Sequence, residues 1–234
     1  MPPKKYNLTI ADSKKLAENI YLISFMPSEK IDFHAGQYFS FKIADKVNRS
    51  YSIASTPSDK HLEFLIEAIP GGVGSNHLVS LLPRDSIESL GPLGFFTLEK
   101  TGALNDEEEL IFVATGSGIA PIRSMVRDLL LGKKSQRKIS LYFGLRFDNE
   151  AYLFEEFEKL ANEYENFEFT PVISRPTPNW SGVVGHCQDC ILKNPINPNA
   201  RIYICGGNES VEGISTDLIN AGYQKDRVFF EKFG

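Results

Sequence analysis

Cysteine is scarce in this sequence: the 234 residues hold three, Cys187, Cys190 and Cys205. A disulfide framework of the kind that staples small secreted domains uses more cysteines in even number, so stability must come from apolar packing. An excess of cations is missing too. With 25 Lys and Arg against 30 Asp and Glu the formal net charge is -5. That argues against the basic stripe a nucleic-acid partner would need. No stretch approaches the run of about 18 apolar residues that a membrane-spanning helix requires. The opening MPPKKYNLTI carries two lysines with no apolar run behind them. The expectation is a cytoplasmic chain with no signal peptide and no membrane span.

What is present suits a packed interior. Hydrophobic residues make up 42% of the chain and charged residues 24%, close to globular averages, and 17 Phe and 9 Tyr are a generous aromatic supply. Residues 6–100 read as β-rich. The runs Ile20–Phe25, Tyr38–Ile43, Arg49–Ile53 and Leu62–Ile69 are β-branched and aromatic, and Gly, Pro, Asn, Asp and Ser interrupt them at short intervals, as in a small barrel. One helix is expected from Ser75 to Leu82.

The second half alternates strand and helix. Strands are expected at Leu110–Thr115, Ile139–Leu145, Phe169–Ile173, Arg201–Cys205 and Val228–Phe230. Helices are expected at Ile119–Leu131, Leu153–Tyr164 and Glu209–Ala221. Such alternation means βαβ units around a buried parallel sheet. The polar, acidic stretch Lys100–Glu109 suits a linker, so the boundary is drawn between an antiparallel barrel domain, 1–102, and an α/β domain, 103–234.

Four motifs carry chemistry. Arg49-Ser50-Tyr51-Ser52 sets a cation and an aromatic on one face of a strand and two hydroxyls on the other; alone it could equally be a polar strand edge. Gly71-Gly72-Val73-Gly74-Ser75-Asn76 leads glycines into a helix N-terminus, where backbone N–H groups and the helix dipole favour an anion. Ala114-Thr115-Gly116-Ser117-Gly118-Ile119-Ala120-Pro121 joins a buried strand to a helix, the expected place for a dinucleotide phosphate. Pro121 stands where the strict glycine pattern has its third Gly, and proline is tolerated in a first helical turn. Cys205-Gly206-Gly207 closes another strand at its C-terminal end, where open α/β sheets bind ligands.

In this order, together with Gly91-Pro92-Leu93-Gly94, the FGLR of Phe143–Arg146 and the terminal FFEKFG, these motifs make the chain resemble the ferredoxin–NADP reductase superfamily over essentially its full length. The resemblance implies an antiparallel Greek-key barrel holding FAD, followed by a Rossmann-like parallel sheet for NADH or NADPH. It assigns Arg49 to the FAD pyrophosphate, with Ser50 beside it. Tyr51 falls along the flavin and ribityl chain, and Ser52 near flavin N5. Gly72, Gly74, Ser75 and Asn76 fall in the phosphate grip, with Ile66 and Ala68 as backbone contacts to the isoalloxazine edge. Thr115, Gly116, Gly118 and Ile119 would line the nucleotide site, with Cys205 and Gly206 near the nicotinamide. Glu231 is implied as an electrostatic or proton-relay group, and Phe233 as a shield over one flavin face. Arg146, Ser174 and Arg175 could hold a 2′-phosphate while Asp148 favours NADH, and the balance leans slightly to NADH.

The implied activity is a reductase that takes hydride from NAD(P)H onto FAD. It would pass electrons to a separate acceptor, such as a ferredoxin, a flavodoxin, a haem protein or a small molecule. Two alternatives stay open: an NAD(P)H:flavin reductase, or the electron-input subunit of a larger redox complex. Departures from the family pattern are Ser117 for the usual Thr, and Ser210 where many relatives carry Met. Three cysteines in these residues cannot supply the four ligands of a ferredoxin-type cluster. Cys187 and Cys190 with His186 invite a zinc reading, but ordinary packing is expected there, and no metal site is assigned.

Overall fold

The computed structural model describes residues 2–102, 109–194 and 197–233. Met1–Gly102 with Arg123–Lys133 form one compact unit, and Ala103–Ile122 with Lys134–Gly234 form the other. Most of the expected linker, residues 103–108, lies outside the described residues, as does the 102/103 boundary itself.

The first unit is an antiparallel barrel. Its strands are β1 (Lys4–Ala17), β2 (Ile20–Met26), β3 (Tyr38–Ala44), β4 (Val47–Ser52), β5 (Leu62–Glu67) and β6 (Ser86–Leu93), in the order β4-β3-β6-β1-β2-β5. The edges β4 and β5 meet through the pair Ile53–Phe64 and the Ala54 N–H, which donates to Glu63 O at 2.7 Å. β1 serves two neighbours. Residues Lys4–Thr9 pair with β6 and Thr9–Ala17 with β2, and an irregularity between Ile10 and Asp12 turns the strand from one to the other.

Phe25, Phe39, Phe41 and Phe64 are fully buried and fill the barrel. Phe41 and Phe64 meet edge-on with ring centroids 4.9 Å apart, and Phe25 and Phe64 at 5.6 Å. Such pairs add about 0.5–1.5 kcal/mol each beyond the area they bury.

Helix α1 (Val73–Ser80) starts two residues before the expected Ser75 because Gly72 is its N-cap, and it ends at Ser80, short of the expected Leu82: Leu81 is already extended, and Pro83 disfavours helix at Leu82. A short helix, α2 (Leu98–Thr101), follows β6.

The second unit carries a parallel sheet. Its strands are β7 (Leu110–Thr115), β8 (Ile139–Leu145), β9 (Phe167–Ile173), β10 (Val183–Val184), β11 (Arg201–Gly207) and β12 (Val228–Phe233), in the order β10-β9-β8-β7-β11-β12. Its central strands β7, β8 and β11 are buried on both faces over most of their length. Tyr203 at its centre is fully buried and stacks between Phe112 and Phe229 at 5.4 and 5.2 Å. The chain steps outward from β7 to β10, then returns to the other side of β7 as β11. The β7–β11 gap is therefore the topological switch point where doubly wound sheets bind ligands.

Helix α3 (Ile119–Arg127) follows β7, and α4 (Phe154–Glu163), α5 (Cys187–Ile191) and α6 (Asn208–Asn220) follow their own strands. The helix expected over 119–131 changes form at Asp128. Residues Asp128–Gly132 make a wider π-type turn, in which the Lys133 N–H reaches Asp128 O at 2.7 Å and the Lys133 ammonium lies 3.0 Å from the buried Asp128 carboxylate.

Candidate nucleotide and flavin sites

In the barrel unit, the Arg49–Ser52 strand and the glycine turn come together. Arg49 and Tyr51 share a face of β4, as strand alternation requires, and α1 lies against that face. A Cβ built on Gly74 would fall 2.5 Å from Arg49 Cγ and 3.1 Å from the Tyr51 hydroxyl. Only glycine permits this approach. Arg49 is exposed and anchored to its own turn by Nη1 donating to Asn48 O at 2.9 Å. Tyr51 is half-buried against Phe41; burial raises its phenol pKa, and the Arg49 charge opposes the rise. Ser50 is exposed and Ser52 is buried at the end of β4.

No side chain caps α1, so its first N–H groups point out of the helix end. Gly72 begins the turn. Ser75 Oγ lies between Ile69 N (3.4 Å) and Gly72 O (3.5 Å), and the exposed Asn76 donates from Nδ2 to Ile69 O at 3.2 Å. These bonds shape the turn, together with the Gly72 N–H, which donates to Ile69 O at 3.0 Å.

Ile66 lies on β5 and Ala68 just after it. Ala68 donates its N–H to Asn19 O at 2.8 Å, and in the register that pairs Tyr21 with Ile66 the backbone groups of Ile66 also face β2. The bond from Ala54 N to Glu63 O fixes the opposite set. Leu65 and Glu67, not Ile66, turn their backbone toward the β4 side.

In the α/β unit, two glycine turns interlock at the switch point. Gly116, at φ +54°, opens a 3-10 turn, Gly116–Gly118, that leads into α3 at Ile119. A Cβ on Gly118 would strike the Cys205 carbonyl and come 2.6 Å from Gly206 N. One on Gly206 would strike Thr115 Oγ1. Gly207 caps α6 without any side-chain bond. Two helix N-termini, those of α3 and α6, thus open at the C-terminal ends of β7 and β11, a ready site for an anion.

Cys205 is fully buried, and burial, helped by the Glu231 charge, pushes its thiol well above the ordinary value. Glu231 sits opposite Cys205 in the β11–β12 register, and Phe233 opposite Gly207. Arg146 and Arg175 are exposed on adjacent strand ends, joined by Arg175 N–H donating to Arg146 O at 2.8 Å, with Ser174 N bonded to Leu145 O at 3.1 Å. Asp148 is held by the Thr177 N–H and hydroxyl, both at 2.7 Å, and these bonds lower its pKa.

The two cysteines of α5 are buried. Cys187 Sγ lies where it would sit 2.9 Å from a Cβ on Gly144, and Cys190 Sγ is 3.4 Å from His186 O. Among the described residues no three His, Cys, Asp or Glu side chains converge on a metal position. Nor is any helix among them long and apolar enough to cross a membrane.

Residues 7–98 match the family model of the oxidoreductase FAD-binding domain, and residues 112–215 that of the oxidoreductase NAD-binding domain. The chain belongs to the ferredoxin–NADP reductase superfamily. The F subunit of the Na(+)-translocating NADH-quinone reductase of Marinomonas sp. (strain MWYL1) is 33% identical over 213 residues, 84% of this chain and 51% of its own length. Its counterpart in Pseudomonas aeruginosa is 32% identical over 221 residues, 86% of this chain and 52% of its own. The chain spans about half the length of these relatives.

Among solved structures, the cytochrome P450 reductase GcoB of Amycolatopsis superposes with a TM-score of 0.91 at 27% identity, over 99% of this chain and 70% of that one. A ferredoxin NADP+ reductase from Neisseria gonorrhoeae with bound FAD and NADP shares the fold, with a TM-score of 0.82 at 23% identity over 98% of each chain.

Two residues beside this site escaped the sequence reading. Arg123 and Ser124, on the second turn of α3, bond the loop after Ser52. A lone Arg on an amphipathic helix reads as a solvated face, and its carboxylate partner is Glu63, 60 residues away.

Proposed function

We propose that this chain is the flavin-bearing reductase of an NADH-dependent electron-transfer system. In this reading it takes hydride from NADH onto FAD N5 and hands electrons to a separate iron–sulfur or haem protein. The observation that carries the reading is the side-chain-free cradle made by Gly74 against Arg49 and Tyr51, in the same chain as the interlocked Gly118–Gly206 turns. Each is a close backbone approach beside an uncapped helix N-terminus, which is the form a diphosphate site takes.

Bound FAD would supply a centre that accepts two electrons as hydride and releases them singly. The protein's part is to bind, orient and insulate. Arg49 would pair with the pyrophosphate as a fork of donors, joined by Ser50 and by the first α1 N–H groups, Val73 to Ser75 with Gly74 between them, in the turn that Gly72 opens and the Asn76 side chain braces. Tyr51 would lie along the flavin, Ser52 would offer its hydroxyl near N5, and Phe233 would shield a ring face. On the α/β side, Thr115, Gly116, Gly118, Ile119 and Gly206 would hold the nucleotide phosphates. Cys205, kept as a neutral thiol by burial, would pack beside the nicotinamide, with Glu231 supplying charge behind it. The three free, buried cysteines support a reducing, cytoplasmic setting.

The preference for NADH rests on Asp148, whose carboxylate Thr177 holds and whose pKa those bonds lower. The half-length match to a component of NADH-quinone reductases supports service as an electron-input module. A free-flavin reductase is disfavoured by the α1 cradle, since a substrate flavin without a diphosphate has no use for it. Purified protein that carries FAD and reduces a ferredoxin or cytochrome with NADH would support the proposal. Colourless protein that turns over riboflavin would refute it.

A further inference from the structure

The loop that follows Ser52 is gripped by α3. Arg123 is buried, its side chain 6% exposed, and its Nη1 donates both to Ala54 O (2.8 Å) and to Glu63 Oε2 (2.7 Å). Ser124 Oγ donates to Ser55 O at 2.6 Å. One turn on, Arg127 Nη1 meets Asp59 Oδ2 at 3.1 Å, the oxygen that also accepts the Thr56 N–H at 2.8 Å. From the other side, Ala54 N–H donates to Glu63 O (2.7 Å), Ser55 Oγ accepts from Glu63 N (3.0 Å), and Ile53 N–H donates to Gln37 O (2.9 Å). Two consecutive carbonyls, two and three residues beyond Ser52, are thus fixed by side chains of one helix.

Stability alone is a weak reason for this arrangement. Desolvating a guanidinium and a carboxylate costs much of what their attraction returns, and apolar substitutes of like volume are often as stable. What the grip gives is a single backbone geometry where a strand has just ended. Such placement matters for a group that must meet a reacting centre, where a displacement of about 1 Å can cost a hundredfold in rate.

We propose that Arg123, with Ser124, is a positioning residue for the reductase. By fixing the carbonyls of Ala54 and Ser55, it holds Ser52 where its hydroxyl meets the flavin. The proposal rests on the flavin site described above. Arginine suits the task because one nitrogen of a rigid planar guanidinium serves a carbonyl and a carboxylate together, which a freely rotating lysine ammonium does less rigidly.

The test uses the full chain carrying Arg123→Gln, Arg123→Lys or Ser124→Ala. In FAD-free protein, amide hydrogen exchange over residues 53–59 should quicken about tenfold in Arg123→Gln while the rest of the barrel keeps its protection. With FAD bound, the limiting rate of flavin reduction should fall about tenfold with KM for NADH within about twofold, and the flavin midpoint potential should shift. Arg123→Lys should recover part of both effects. Ser124→Ala should show the same pattern at smaller amplitude, and decides the matter if Arg123→Gln does not fold.

Faster exchange with unchanged rate and potential would make the grip purely structural and overturn the proposal, as would unchanged exchange. Wild-type protein that takes up no FAD would overturn the flavin reading instead, and the FAD-free exchange experiment keeps the two failures apart.

Discussion

Gly74 of α1 approaches Arg49 of β4 so closely that a methyl group on the glycine would lie 2.5 Å from Arg49 Cγ. The helix end and the cation therefore adjoin, and enlarging the glycine must move one of them. Gly74→Ala should leave the barrel folded, at a stability cost of about 1–3 kcal/mol. It should weaken FAD binding at least about tenfold, or about 1.4 kcal/mol. The ratio of flavin to protein absorbance after dialysis reads this directly; undiminished FAD retention would separate Gly74 from the flavin site.

The Gly118–Gly206 contact gives the complementary expectation. Gly206→Ala drives a methyl into Thr115 Oγ1, so the nucleotide turn must shift while the barrel is untouched. KM for NADH should rise by about tenfold with FAD content unchanged. Steady-state kinetics on FAD-replete protein checks this, and loss of FAD instead would show the two sites to be miscast.

Burial raises the Cys205 thiol well above its ordinary value and raises Cys187 as well. The thiolate is therefore disfavoured in the folded chain only. Below the unfolded thiol value of about 9 both states are protonated and stability is flat. Above it the unfolded chain loses protons that the folded chain keeps, so stability falls with rising pH, by up to about 1.4 kcal/mol per pH unit for each such thiol. Urea melts at pH 8 and 10 should show the decline, and Cys187→Ala should reduce it. A thiol that alkylates rapidly at neutral pH in the native state would contradict the buried assignment.

Asp148, tied to Thr177, should set the cofactor preference. kcat/KM should favour NADH over NADPH by about tenfold or more, and Asp148→Ala should narrow the ratio by removing the carboxylate that favours the unphosphorylated ribose. A wild-type preference for NADPH would reverse the reading.

Much of this was legible in the sequence because local pattern and tertiary role agree. The apolar run Leu110–Thr115 is a buried central strand, and its following glycines sit at the switch point that alternating strands and helices implied. β1, with KKYNLTIADSKKLA, was harder to delimit. It buries only Leu8 and Ile10 fully and changes partner midway, so its pattern is mostly that of a solvated edge. Which neighbour the Ile66 backbone faces cannot be read locally, because it depends on register, and register follows from pairing with Tyr21, 45 positions away by their numbering. Arg123 was invisible for a similar reason: its burial is created by residues 54–63, which the chain reaches long before α3.

The most direct test of the proposed chemistry is an anaerobic titration of the FAD-loaded chain with NADH, followed by the flavin's visible absorption. One equivalent of NADH should bleach the flavin, and its colour should return on adding an oxidised ferredoxin or cytochrome. A flavin that stays oxidised under excess NADH would contradict the reductase reading.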